Sequence, residues 1–340
     1  MPVPTRPADR LAQLDDAIAS VTWSPDSSRA AVAGVGGGLW LIDVEGRLLH
    51  RFEGHADGIF QARWQPDGPV FASVGQDGRV RFWNGMEPAP LEVFDAGASW
   101  VEQLAWSPSG EWLAVGAGRV LHLWHRERGW VHRIPDHPST VSGIAWRPDS
   151  KVVAAACYGG VRLYNPATGK PSGILPWKTS MVSLAWSPDQ RWVVAGTQEL
   201  AIQVWPYPFR EGEELAMSGY AAKVRELAWH HSSRYLATGG GTEAMVWDCG
   251  GNGPAGSTPR ILEGHTDRIQ AIAYQSRGHI LATGAADHSV LFWNAGKSST
   301  ALRRIELGSP ITVLACSPDT RWFVAGTHQG ELAMIQAPAN

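Results

Sequence analysis

Short apolar runs, each closed by a bulky side chain and followed by a polar turn, recur along the whole chain. The closing residues are Trp23, Trp64, Trp106, Trp146, Trp186, Trp229, Tyr274 and Cys316, spaced by 41, 42, 40, 40, 43, 45 and 42 residues. Most lead into Ser-Pro-Asp or a close variant, as in Trp23-Ser24-Pro25-Asp26 and Trp186-Ser187-Pro188-Asp189. Pro and Asp preset the geometry of a tight turn. In the second copy the pattern predicts strands from Ile59 to Trp64, Val70 to Gly75 and Arg79 to Trp83, and a fourth near Leu91 to Phe94. No segment sustains a 3.6-residue period, so the expectation is an all-β chain. A fixed period near 42 residues, with several short strands in each, is the mark of a radial β repeat.

The two ends of the pattern predict how the repeat closes. The last copy stops after its third strand, Glu331 to Gln336, while a strand-like segment, Arg10 to Leu14, precedes the first anchor. If this segment supplies the missing fourth strand, it ties the ring and covers an edge open to aggregation. The reading is eight four-stranded blades in a single domain over residues 1–340.

Two copies carry a polar set at identical offsets. Gly54-His55 is followed by Ser73, Asp77 and Trp83, and Gly264-His265 by Thr283, Asp287 and Trp293, with steps of 18, 4 and 6 residues in both. With these sets the chain resembles the WD40 repeat family along nearly its whole length. The resemblance implies a β-propeller, here an eight-bladed one where seven is usual. It implies that each set is a buried tetrad in which indole, hydroxyl, imidazole and carboxylate satisfy one another. Ser, His and Asp also invite a hydrolase reading, against which the resemblance sets a buried hydroxyl already engaged by the indole. Other copies depart from the pattern, with Ile42, Tyr164 and Ile335 at the tetrad Trp position.

Composition changes this picture little. A net charge of −3 argues against a surface built as a whole for nucleic acid or anionic lipid. Cys157, Cys249 and Cys316 lack paired spacing and read as free thiols of a reducing compartment. Without an apolar core near Met1 or a long apolar stretch, the expected location is the cytoplasm, with no membrane contact. His122, His125, His132 and His137 cluster in sequence. A hairpin turning at Arg126 to Gly129 would pair His125 with Trp130 and Leu123 with His132, and would send His122 and His132 to opposite faces. No His, Cys and acid set has zinc-ligand spacing, so neither metal nor cofactor is expected.

Fourteen of the 18 Trp fall at repeated positions and read as core, which leaves Trp40, Trp100, Trp130 and Trp177. The resemblance implies partner contacts six and four residues before each anchor, on the face opposite the Pro-Asp turns. Those positions include Phe60, Trp100, Lys223, Arg225, Arg268 and Gln270, with Tyr158 and Trp177 expected nearby. Aromatic blades passing into basic ones suit a peptide with apolar anchors and acidic residues. The expected role is a non-catalytic scaffold or adaptor for a protein or peptide. A propeller enzyme or metal-dependent hydrolase is the alternative from another class, but of the sixteen contact positions only Glu102 is acidic. Single-stranded nucleic acid on the aromatic-to-basic arc is the third reading.

Overall fold

The computed structural model describes residues 3–85, 87–251 and 253–338. Their strands form eight antiparallel sheets. The first strands are Ile18–Trp23, Ile59–Trp64, Val101–Trp106, Gly143–Trp146, Ala185–Trp186, Leu227–Trp229, Ile269–Tyr274 and Ile311–Cys316. Each touches the next, and the last touches the first. This closed contact order makes the molecule an eight-bladed propeller, and no helix is present among the described residues.

The repeated residue types explain the packing. Second strands such as Arg29–Gly34, Trp112–Ala117 and Trp192–Gly196 are rich in Ala and Val because they are buried on both faces, between neighbouring blades. The anchor indoles bind one blade to the one before it. Trp23 Nε1 donates to Ala315 O at 3.3 Å, Trp106 Nε1 to Arg63 O at 3.0 Å and Trp146 Nε1 to Ala105 O at 2.9 Å. A Trp supplies both the ring that fills the seam and the N–H that satisfies a carbonyl across it.

Closure runs through the N-terminal segment. Arg10–Gln13 pairs antiparallel with Glu331–Gln336, in register from Arg10 with Met334 to Gln13 with Glu331. Leu14 lies just past the strand. The preceding residues reach one blade further: Arg6 N donates to Arg304 O, and Arg304 N to Pro4 O, each at 3.0 Å. Asp9 adds a clasp by accepting Gln336 N at 2.7 Å.

Two details differ from expectation. Blade four is a three-stranded sheet, because its second and third strands run on as one strand, Val153–Tyr164. Gly159 and Gly160, with φ of 84° and 114°, let the ladder continue where other blades have a polar turn. In blade three Leu123 does pair with His132, but Trp130 pairs with Trp124, and His125 with Gly129. A bulge between Leu123 and Trp124, accommodated by Gly129 at φ 69°, shifts the register by one.

Candidate binding face and polar clusters

Antiparallel pairing puts the start of each first strand and the end of each second strand on one face of the disc, and the Pro-Asp turns on the other. The two tetrads lie toward the first face. Trp83 Nε1 donates to Ser73 Oγ at 2.9 Å, and His55 lies between Ser73 Oγ (Nε2, 2.8 Å) and Asp77 Oδ1 (Nδ1, 2.8 Å). With the indole proton on Ser73, its hydroxyl can donate to Nε2, and Nδ1–H then serves the carboxylate, so the chain closes on a neutral imidazole. Burial, with Arg79 and Arg81 nearby, lowers the His55 pKa to about 4 despite Asp77. Burial opposes ionisation of Asp77, yet hydrogen bonds from His55 and Arg81 outweigh it and hold the carboxyl below its usual range. Gly54 sits at φ 61°, where an added Cβ would meet Gly37 O at 2.0 Å, so the Gly before this His is required by the backbone.

The second set repeats this arrangement. Trp293 Nε1 donates to Thr283 Oγ1 at 2.9 Å, His265 Nε2 lies 2.8 Å from Thr283 Oγ1, and His265 Nδ1 lies 3.1 Å from Asp287 Oδ2. Ser73 and Thr283 are fully buried. A hydroxyl sealed in this way and shared by an indole and an imidazole has no path to a substrate.

Two further blades build shorter versions that the sequence reading missed. In blade six Tyr220 takes the His place, accepting from Trp247 Nε1 at 2.9 Å and lying 2.9 Å from Thr238 Oγ1. Burial pushes its phenol up to about 12, against the hydrogen bonds from Thr238 and Trp247. In blade four His137 Nε2 meets Tyr164 OH at 3.0 Å. The available signal was the offset: His55, His137, Tyr220 and His265 each precede their anchor by nine residues.

Trp177 occupies this same offset in blade five. It is half-buried in the strand Pro171–Ser180 and packs against the core of blades four and five. The other face positions are more open. Trp100 is 56% exposed and Tyr158 53%. Phe60 is half-buried and meets Trp100 edge-on, with ring centroids 6.2 Å apart. Arg225, Arg268 and Gln270 are exposed and Lys223 half-buried. Arg268 Nη2 reaches Lys223 O at 3.5 Å across the blade seam. Two neighbourhoods result, Phe60 with Trp100 and Lys223 with Arg268, and no hydrogen bond or ring contact among the described residues joins them.

The structure adds Glu226 to the basic side. Burial raises its pKa, while Arg268 and Arg225 act in the opposite direction. Its Oε2 has no hydrogen-bond partner among the described residues. Elsewhere on this face small hydroxyls hold the seams: Ser142 Oγ donates to Met181 O at 2.7 Å, and Thr312 Oγ1 to Ile18 O at 2.6 Å.

The histidines of blade three separate as their strand positions require. His122 is buried beside Ala96 O, whereas His132 lies by Ala167 O on the side of blade four. A different trio gathers on the Pro-Asp face. His230, His231 and His279 present ring nitrogens that all lie within 4.8 Å of one another. Burial first, then the neighbouring rings of His231 and His279, lowers the His230 pKa to about 4. His230 and His279 are 49 positions apart, so no sequence spacing announces the trio.

Comparison with known proteins agrees with this architecture. Residues 46–84, 89–125, 129–165, 169–205, 213–248 and 256–294 match the family model for the WD domain, G-beta repeat (WD40). THO complex subunit 3 of Arabidopsis thaliana is 25% identical over 130 residues, covering 38% of this chain and 41% of that protein. Anaphase-promoting complex subunit cdc20 of Dictyostelium discoideum is 30% identical over 130 residues, covering 36% and 26%. The matches thus span less than half of these curated relatives. A solved structure of the computationally designed protein Ika8 superposes with a TM-score of 0.81 at 22% identity, over 96% of this chain and 98% of that one. That last likeness is one of fold.

Proposed function

This chain belongs to the WD40 repeat family, and on that footing we propose that it is a non-catalytic scaffold holding a peptide or protein partner on the face that carries Phe60 and Trp100. The observation that carries the proposal is Trp100 itself, an indole 56% exposed just before the first strand of blade three and braced edge-on by Phe60 of the preceding blade. A large, rigid aromatic held open to water in this way is what a partner's apolar side chain can cover, and Trp, Tyr and Arg dominate interface hot spots. Arg225 and Arg268 supply charge for acidic residues of the same partner, and neither forms an ion pair among the described residues. Two relatives are named as subunits of complexes, which fits a scaffold role. The cytoplasm is the compartment we assign, on the strength of three unpaired cysteines.

The test begins with a tagged chain and capture of its partner from source cells, identified by mass spectrometry. The recovered partner is then titrated against wild type, Trp100→Ala and Arg225→Ala. Each substitution weakens binding by about 2 kcal/mol or more, and both variants melt with wild type because neither side chain packs in the core. Unchanged affinity in both would overturn the reading. A partner that is single-stranded nucleic acid would show itself by binding that collapses as salt rises.

A further inference from the structure

The first turn of every blade lies on the Pro-Asp face, and at five seams the turns of neighbouring blades are hydrogen-bonded to one another. Asp319 N donates to Ser27 Oγ at 3.0 Å, Ser109 N to Ser150 Oγ at 3.0 Å and Asp189 N to Ser233 Oγ at 2.8 Å. Gln65 Nε2 donates to Gly110 O, and Gln275 Nε2 to Thr320 O. The seam between blades six and seven is built differently. His230 and His231 stand where most copies have Ser-Pro or a close variant, and His279 stands just before the strand Ile280–Ala285 of the next blade.

His230 Nε2 and His279 Nδ1 are 3.2 Å apart, with the two rings stacked at 5.2 Å and an interplanar angle of 11°. Two nitrogens bound to one zinc at 2.0–2.1 Å in a tetrahedron are about 3.3 Å apart. The pair already has the separation of two corners of such a site. His231, whose ring centroid is 4.3 Å from that of His230, brings a third nitrogen within 4.8 Å of the other two. It is exposed and makes no hydrogen bond among the described residues, so its ring can turn inward at little cost. Ser232 N donates to His230 Nδ1 at 3.2 Å, with Ser232 Oγ 2.7 Å away, so an ion bound at Nε2 would move the ring proton to Nδ1 and make Ser232 Oγ its acceptor.

We propose that His230, His231 and His279 form a binding site for a divalent transition-metal ion, zinc by the chemistry of three imidazoles, which staples blade six to blade seven. An all-nitrogen set favours zinc, nickel or copper over magnesium or calcium, which take oxygen ligands. A fourth position remains for water. The first strand of blade six is short, with three residues, Leu227–Trp229, against six in blade seven. Tyr274, the anchor of blade seven, also has a hydroxyl with no hydrogen-bond partner among the described residues, where Trp106 and Trp146 bond across their seams.

The probe is zinc chloride, titrated calorimetrically into the metal-stripped full chain, with thermal melts in parallel. Wild type binds one zinc and melts at a higher temperature in its presence, because an ion that binds only the folded ring stabilises it. His279→Ala and His231→Gln each weaken binding about tenfold or more, as loss of one ligand or its support does, and each loses the zinc-dependent rise in melting temperature. His231→Gln removes no hydrogen bond or core contact, so its metal-free melt matches wild type even if His279→Ala disturbs the seam. Magnesium produces neither effect. The proposal is overturned if wild type takes up no zinc, or if both variants bind it as wild type does, which would move the ion to the cysteines.

Discussion

At the scale of single residues, the tetrads act through charges that must be matched in the interior. Asp77 accepts from both His55 and Arg81, and Arg81 is itself buried. Asp77→Ala strands that guanidinium, and removal of one partner from a buried pair costs about 3–5 kcal/mol. A chemical denaturation curve of the variant beside wild type measures this. His55 sets a pH dependence of definite sign. Its folded pKa, about 4, lies below the ordinary 6.5, so on acidification the unfolded chain takes up a proton that the folded ring refuses. Stability therefore falls as pH drops from 6.5 to 4, by about 3 kcal/mol from this residue. The depressed carboxyls of Asp77 and Asp287 extend the loss below pH 3.8. Melting temperatures between pH 7 and pH 4 follow this slope, and His55→Gln flattens its upper part. The fixed offsets of 18, 4 and 6 made the two full sets readable in the sequence. The shorter sets escaped because Tyr220 and Tyr164 exchange the residue type at a fixed place, which defeats a search by identity.

At the scale of the strand and its turn, the legible part was the alternation of apolar runs and Pro-Asp turns. Glu331–Gln336 and Ile59–Trp64 run as the pattern predicts, because strands buried between blades admit few residue types. The fusion of two strands in blade four and the bulge in blade three were not legible, since both depend on backbone twist at glycines and leave the apolar pattern unchanged. Glu226 and the histidine trio escaped for another reason: their neighbours belong to adjacent turns and blades. The anchor seams give a test at this scale. Trp146 Nε1 donates to Ala105 O, whereas the buried Trp186 Nε1 has no partner among the described residues. Both anchors change to Phe with the same loss of ring volume, but only Trp146→Phe removes a hydrogen bond. Trp146→Phe is therefore the costlier by about 1–2 kcal/mol, a difference that paired urea melts resolve.

At the scale of the whole ring, the decisive element is the strand Arg10–Gln13. Without it, Glu331–Gln336 presents an unpaired edge beside the apolar interior of blade eight. Deletion of residues 3–14 yields a chain that self-associates in size-exclusion chromatography and melts well below wild type, as uncovered edges lead it to do. The strand also orders events in time. Asp9 and Gln336 are 327 residues apart, yet closing so long a loop costs only about 2 kcal/mol more than closing one of 42 residues. Distance along the chain is thus a weak thermodynamic obstacle and a strong kinetic one. During translation the residues that finish the ring leave the ribosome before any blade does and wait, unpaired, while seven blades are made. Only with the arrival of residues near 334 does the strand Arg10–Gln13 find its place.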